Sequence, residues 1–182
     1  WIEASGGYCH NGPDHVVADA AVMSQAVGRQ VRVQWMRWDE PGWEPKGPPI
    51  VQDLVGAVDK DGRVVAWRHH MWVPTISDTH LIATALIGKP DVTGDTGTGD
   101  VPVIKYAYDF DNADVLVHAK GRVALLTAWL RSPAQFETTF AMESFIDELA
   151  AAAGQDPLAF RLAYVKDPRA IAVLKAAAQE YG

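Results

Sequence analysis

Cysteine is nearly absent from this chain of 182 residues, and the lone Cys9 excludes an internal disulfide. Basic residues are outnumbered, 16 Lys and Arg against 23 Asp and Glu, for a net charge of −7 and a pI near 5.2. That balance argues against nucleic acid as a partner, because phosphate binding needs a basic face. No apolar run approaches the ~20 residues that a membrane-spanning helix requires. An initiator methionine and a signal-like segment are also missing before Trp1, so a processed or truncated chain is expected. What is present is ordinary for a folded domain: 48% apolar and 21% charged residues. The expectation is a single domain over residues 1–182.

The chain is organised around Ser5 to Arg29. Gly6 and Gly7 lack a Cβ and can bring the backbone close to another group. Asn11, Gly12 and Pro13 read as a helix entry, Val16, Ala20, Met23 and Val27 as its apolar stripe, and Gly28 as its end. A glycine-bearing loop that empties into a helix N-terminus presents unpaired N–H groups suited to an anion. A tight loop before an ordinary surface helix is the plainer alternative.

Residues Val31 to Arg37 alternate in polarity and predict a strand, and the proline-rich stretch Pro41 to Pro49 predicts a loop. Leu54 to Val58 and Arg63 to Val73 flank Asp59-Lys60-Asp61-Gly62 and predict a hairpin. Ile82 to Ile87 suits a short helix. The acidic stretch Asp91 to Asp100 lacks the distal glutamate of a calcium loop and reads as plain loop. Two strands follow at Val115 to His118 and Val123 to Leu130. A long helix starts at Ser132 or Pro133, with Phe136, Phe140, Ala141, Phe145, Leu149 and Ala152 as its stripe and Gly154 as its end. Asp156-Pro157 and Asp167-Pro168 open two further helices, the last with Ile171, Leu174, Ala178 and Tyr181 as its buried side. The fold class is α+β, without the regular alternation of a doubly wound sheet.

Side-chain chemistry is sparse. Adjacent His69 and His70 on one strand point to opposite faces and cannot share a metal without a bulge. Cys9, His10 and His15 lack a second ligand cluster, and no G-x-S-x-G elbow is present. A cysteine enzyme built on Cys9 would require a rapidly alkylated thiol. Arg131, between an apolar strand and the long helix, offers a second place suited to an anion; pairing with Glu137 is its plainer alternative.

Two separated stretches resemble the xanthine dehydrogenase and aldehyde oxidase family, the molybdenum hydroxylases. The loop SGGYCHNG, a helix and then VGRQVRVQWMRWDE resemble that family's glycine-rich loop, helix and following strand. Leu130-Arg131-Ser132-Pro133-Ala134 stands where the family has Phe-Arg-Gly-Phe-Gly, and Glu143 falls twelve positions after Arg131, at the family's offset. The similarity extends over nearly the whole chain and is greatest to the large subunits of the isoquinoline oxidoreductase and nicotinate dehydrogenase kind.

The resemblance implies part of the molybdopterin-binding domain of a larger catalytic subunit, which hydroxylates N-heterocycles or aldehydes with an oxygen from water. It implies a molybdopterin-type cofactor, in its cytosine dinucleotide form, whose metal is held by the pterin and by no protein side chain. Cofactor-binding positions carried over are Gly6, Gly7, Tyr8 and Cys9 in the first loop, and Arg131 and Ser132 in the second. Implied partners are a small iron–sulfur subunit, a further electron-transfer partner and a small-molecule substrate.

The sequence departs from the family at Cys9 and His10, where the loop has glycine, and at Ser132-Pro133-Ala134. Gly12 replaces the glutamate of purine-oxidising members, which argues against xanthine as substrate. No Gly-x-Gly-Glu motif supplies the family's catalytic base, so no catalytic residue is expected within the chain, and Glu143 is expected to be structural. The chain alone is therefore expected to be inactive, to lack cofactor, and to self-associate through apolar surface. The rival expectation is a non-catalytic α/β binding or assembly module on the same scaffold.

Overall fold

A computed structural model describes residues 15–43, 46–74, 83, 86–88, 107–121, 123–125, 127–128, 131–132 and 135–181. The first loop with its helix entry, and the acidic loop 91–100, lie outside the described residues. The elements are α1 (His15–Val27), α2 (Asp39–Trp43), β1 (Val51–Val58), β2 (Val64–Pro74), β3 (Ala113–Lys120), α3 (Gln135–Ala152), α4 (Pro157–Tyr164) and α5 (Pro168–Tyr181). The class is α+β, as the sequence predicts. The chain gathers into two compact units. One takes its described residues from Trp1–Pro49, Val73–Val101 and Ala119–Pro133, the other from Ile50–Trp72, Pro102–His118 and Ala134–Gly182.

The second unit is built on the predicted hairpin. β1 and β2 pair antiparallel from Val51 opposite Trp72 to Val58 opposite Val64, with an irregularity between Ala57 and Val58. The turn closes because Asp59 Oδ1 accepts the N–H groups of Asp61 and Arg63, each at 2.9 Å. Gly62 takes φ +74° there. β3 lies on the other side of β2. The Trp67 N–H donates to the Asn112 carbonyl and Trp72 stacks on His118, so position advances together along both strands. β3 therefore runs parallel to β2, and the sheet is mixed.

Alternation along β2 sends Trp67, His69 and Met71 into the interior, each almost fully buried, and Arg68, His70 and Trp72 to the other face. The core joins Trp67 to Tyr108, Met142, Ile146, Leu149, Ala150, Phe160 and Val165. α3 comes close over β1 because Gly56 has no side chain: a Cβ there would meet Leu149 Cδ2 at 3.0 Å and Phe145 Cε1 at 3.1 Å. α4 opens as expected, with Asp156 Oδ1 accepting the Ala159 N–H at 2.8 Å.

Several expectations are corrected. Of the expected stripe of α3, Leu149 is buried and Phe145 packs on the core, but the other inward residues are Thr138, Met142, Ile146 and Ala150, while Phe136 and Phe140 are exposed. This start of the helix is apolar on two sides, and a shift of two residues turns the stripe by about 200°. The contact with the hairpin chooses the side. In α1, Met23 and Val27 are exposed, and in α5 Tyr181 is exposed and no residue is fully buried.

In the first unit, residues 31–36 alternate in burial but form no ladder among the described residues. The run is held by side chains instead: Trp35 Nε1 donates to Asp19 of α1 at 2.9 Å, and Asp39 accepts the Met36 N–H. Pro41 belongs to the short helix α2, not to a loop; the first turn tolerates a missing N–H. The strand expected over 123–130 reduces, among its described residues, to one parallel bridge between Thr127 and Lys46. An apolar run signals burial, which Thr127 and Ala128 have, and burial alone does not specify a ladder.

Replacing Gly62 tests the hairpin tip. A Cβ there would stand 2.3 Å from Gln155 Nε2, which donates to the Gly62 carbonyl at 3.0 Å. Gly62→Ala is expected to cost about 1–2 kcal/mol from the left-handed backbone alone, seen as a lowered Tm. An unchanged Tm would refute the strained geometry.

Candidate functional site

Of the predicted cofactor positions, Gly6, Gly7, Tyr8 and Cys9 lie outside the described residues. Arg131 and Ser132 are described; both are exposed and sit in a bend. Ser132 has φ +63°, and among the described residues no other non-glycine residue is left-handed. Such a conformation is disfavoured for a side chain with a Cβ by about 1–2 kcal/mol. It falls at the position where the family pattern has glycine, the residue for which this backbone carries no Cβ penalty. Backbone strain of this kind concentrates at ligand-binding turns.

Glu143, the glutamate at the family offset, has a different task. Its Oε1 and Oε2 accept the Tyr108 hydroxyl at 2.8 and 2.9 Å, and Oε2 also accepts Arg161 Nε at 2.9 Å. Arg161 reaches further, donating to Asp147 Oδ1 at 2.6 Å and to the backbone oxygens of Glu143 and Pro157. One carboxylate thus ties α3 to α4 and to the segment that carries Tyr108. Burial, then the bond to Glu143, pushes the Tyr108 hydroxyl well above its usual range. For Arg161, burial alone would lower the pKa; the bonds to Asp147 and Glu143 outweigh it and raise it. Glu143 is structural, as expected. A helix position alone does not reveal this network, because its partners stand 35 residues before it and 18 after it.

The adjacent histidines do face opposite ways. His69 is buried, and its Nε2–H donates to Gln52 Oε1 at 2.8 Å, while Gln52 Nε2 donates to the Glu137 carbonyl at 2.8 Å. His70 points outward to Asp114 and His118 on β3. Burial, and secondarily His70, hold the His69 pKa below its ordinary value of 6.5. Among the described residues, no group of three or more His, Cys, Asp or Glu could hold a metal ion. No described helix is long and apolar enough to cross a membrane.

The α+β class is the one that the sequence resemblance implies. Residues 11–165 match the molybdopterin cofactor-binding domain family. The chain belongs to that family. It is 37% identical over 179 residues to a subunit of nicotinate dehydrogenase from Pseudomonas putida, covering 98% of this chain and 15% of that protein. It is 27% identical over 180 residues to the beta subunit of isoquinoline 1-oxidoreductase from Brevundimonas diminuta, covering 96% of this chain and 22% of that protein. The chain thus spans less than a quarter of the length of these curated relatives.

Two measurements probe the Glu143 network and the setting of His69. Arg161→Ala should cost about 2 kcal/mol by removing charge-assisted bonds to Glu143 and Asp147, and the loss should couple to Tyr108→Phe in a double-mutant cycle. Strict additivity would deny that Glu143 is shared. For His69 the sign follows from its lowered pKa: unfolded chains take up the proton first, so its contribution is complete at higher pH and is lost as pH falls below about 6.5. Tm should drop more steeply on acidification in the wild type than in His69→Gln; parallel curves would contradict the assignment.

Proposed function

We propose that this chain is one module of the molybdopterin-binding catalytic subunit of a molybdenum-dependent oxidoreductase of the nicotinate dehydrogenase or isoquinoline oxidoreductase kind. The observation that carries the reading is the family match across residues 11–165, supported by the left-handed Ser132 at the family's glycine position. In this reading, residues 1–182 act as a single module of a longer subunit that hydroxylates an electron-poor carbon of an N-heterocycle or aldehyde.

The residues present fit the cofactor by their chemistry. Gly6 and Gly7 would allow close backbone approach, and the N–H groups of Gly7, Tyr8 and Cys9 would serve as donors to its oxygens. Arg131, exposed beside the left-handed Ser132, would supply positive charge for an anionic phosphate or dinucleotide tail. When bound, the molybdenum cofactor supplies the two-electron redox chemistry that the side chains of this module lack. The general base is contributed from outside residues 1–182, and electrons leave through an iron–sulfur subunit. By itself the module is inactive, and its exposed Phe136, Phe140 and Leu86 favour self-association.

The test is molybdenum content in the full-length gene product, co-expressed with its neighbouring subunits. Stoichiometric molybdenum is expected, with retention falling about tenfold or more in Arg131→Ala and persisting in Ser132→Gly. No molybdenum, from a host that loads a known molybdenum hydroxylase, would overturn the reading in favour of a non-catalytic module.

A further inference from the structure

The outward face of the sheet carries a side-chain cluster that the cofactor loops do not use. His70 stands on β2, while Asp114 and His118 stand four residues apart on the neighbouring strand β3, so all three share one face. His70 Nε2 lies 3.0 Å from Asp114 Oδ2. A carboxylate only accepts, so Nε2 carries a proton, and in the neutral ring His70 Nδ1 keeps its lone pair. That lone pair faces His118 Nε2 at 3.5 Å. The His118 ring is held flat against Trp72, with centroids 4.8 Å apart and planes 9° apart.

A separation of 3.5 Å is long for a hydrogen bond between nitrogens. It is close to the spacing of two nitrogens bound to one tetrahedral zinc, about 3.3–3.4 Å for bonds of about 2.0–2.1 Å. The carboxylate behind His70 is the arrangement that orients a metal-bound imidazole and raises its basicity. We propose that His70 Nδ1 and His118 Nε2 form a two-imidazole site for a divalent transition ion of the zinc and copper class, with Asp114 as its outer carboxylate. Water completes the coordination, because no third protein ligand converges there among the described residues. The site is therefore open and exchangeable. His118 binds as its Nδ1–H tautomer, so the proton moves from one ring nitrogen to the other through solvent and net charge is unchanged. Arg68, a nearby cation on this face, is paired with Asp53 at 3.2 Å, which reduces its repulsion. Such a site spans the largely exposed strand β3 and its neighbour β2, and the bound ion stabilises their pairing by mass action. The proposal stands independently of the cofactor reading.

The probe is zinc chloride, titrated calorimetrically at neutral pH into the full 182-residue chain. Binding to the wild type is expected, with a zinc-dependent rise in Tm. His70→Ala and His118→Asn should weaken it more than tenfold, and Asp114→Asn about 10- to 100-fold. A chain lacking Cys9 and His10 should bind as before; loss there would move the ion to the first loop and overturn the proposal. Imidazole nitrogen chemical shifts give a readout that misfolding of a variant cannot mimic. On zinc addition, His70 Nδ1 and His118 Nε2 of the wild type should move together. Unmoved shifts, or equal affinity in both histidine variants, would sink the site.

Discussion

The unit built on the hairpin depends on a carboxylate shared between two donors. Glu143 lies within α3, yet its oxygens are taken by Tyr108 from one side and Arg161 from the other. Each partner comes from a different stretch of chain, so the bond network fixes three segments against each other where apolar packing alone would allow sliding. Around it the core is apolar and aromatic. Trp67 stacks on Phe110 at 4.7 Å, and Phe160 meets Tyr164 at 5.3 Å. The charge is tolerated because it is fully hydrogen-bonded and remains partly exposed to water.

The same sheet serves two environments through a period of two. Its inner face is sealed by α3, with His69 kept neutral by burial, while the outer face carries His70, Asp114, His118 and Trp72. Neighbouring histidines of one strand thereby acquire unrelated chemistry. His69 belongs to an inward chain of hydrogen bonds through Gln52, and His70 to an outward cluster open to solutes.

Family membership and the short span of the chain relative to its relatives belong together. In the proposed reading the helices and sheet present loops to the cofactor and contribute few reactive side chains. That division of labour suits a cofactor that brings its own metal and redox chemistry.

The sequence by itself determined the local elements with strong short-range causes. The hairpin about Asp59 and Gly62, the Asp156 cap, and the opposed directions of His69 and His70 all follow from residues within a few positions of one another. Tertiary structure decided what short-range signals leave degenerate. It chose the side of α3 that is buried, leaving Phe136 and Phe140 outside. It left residues 31–36 without a ladder among the described residues, gave Tyr108 and Arg161 to Glu143, and brought His118 to His70. The physical reason is that amphipathic period reports only that some face is buried. Which face, and against which distant partner, depends on contacts between residues tens of positions apart.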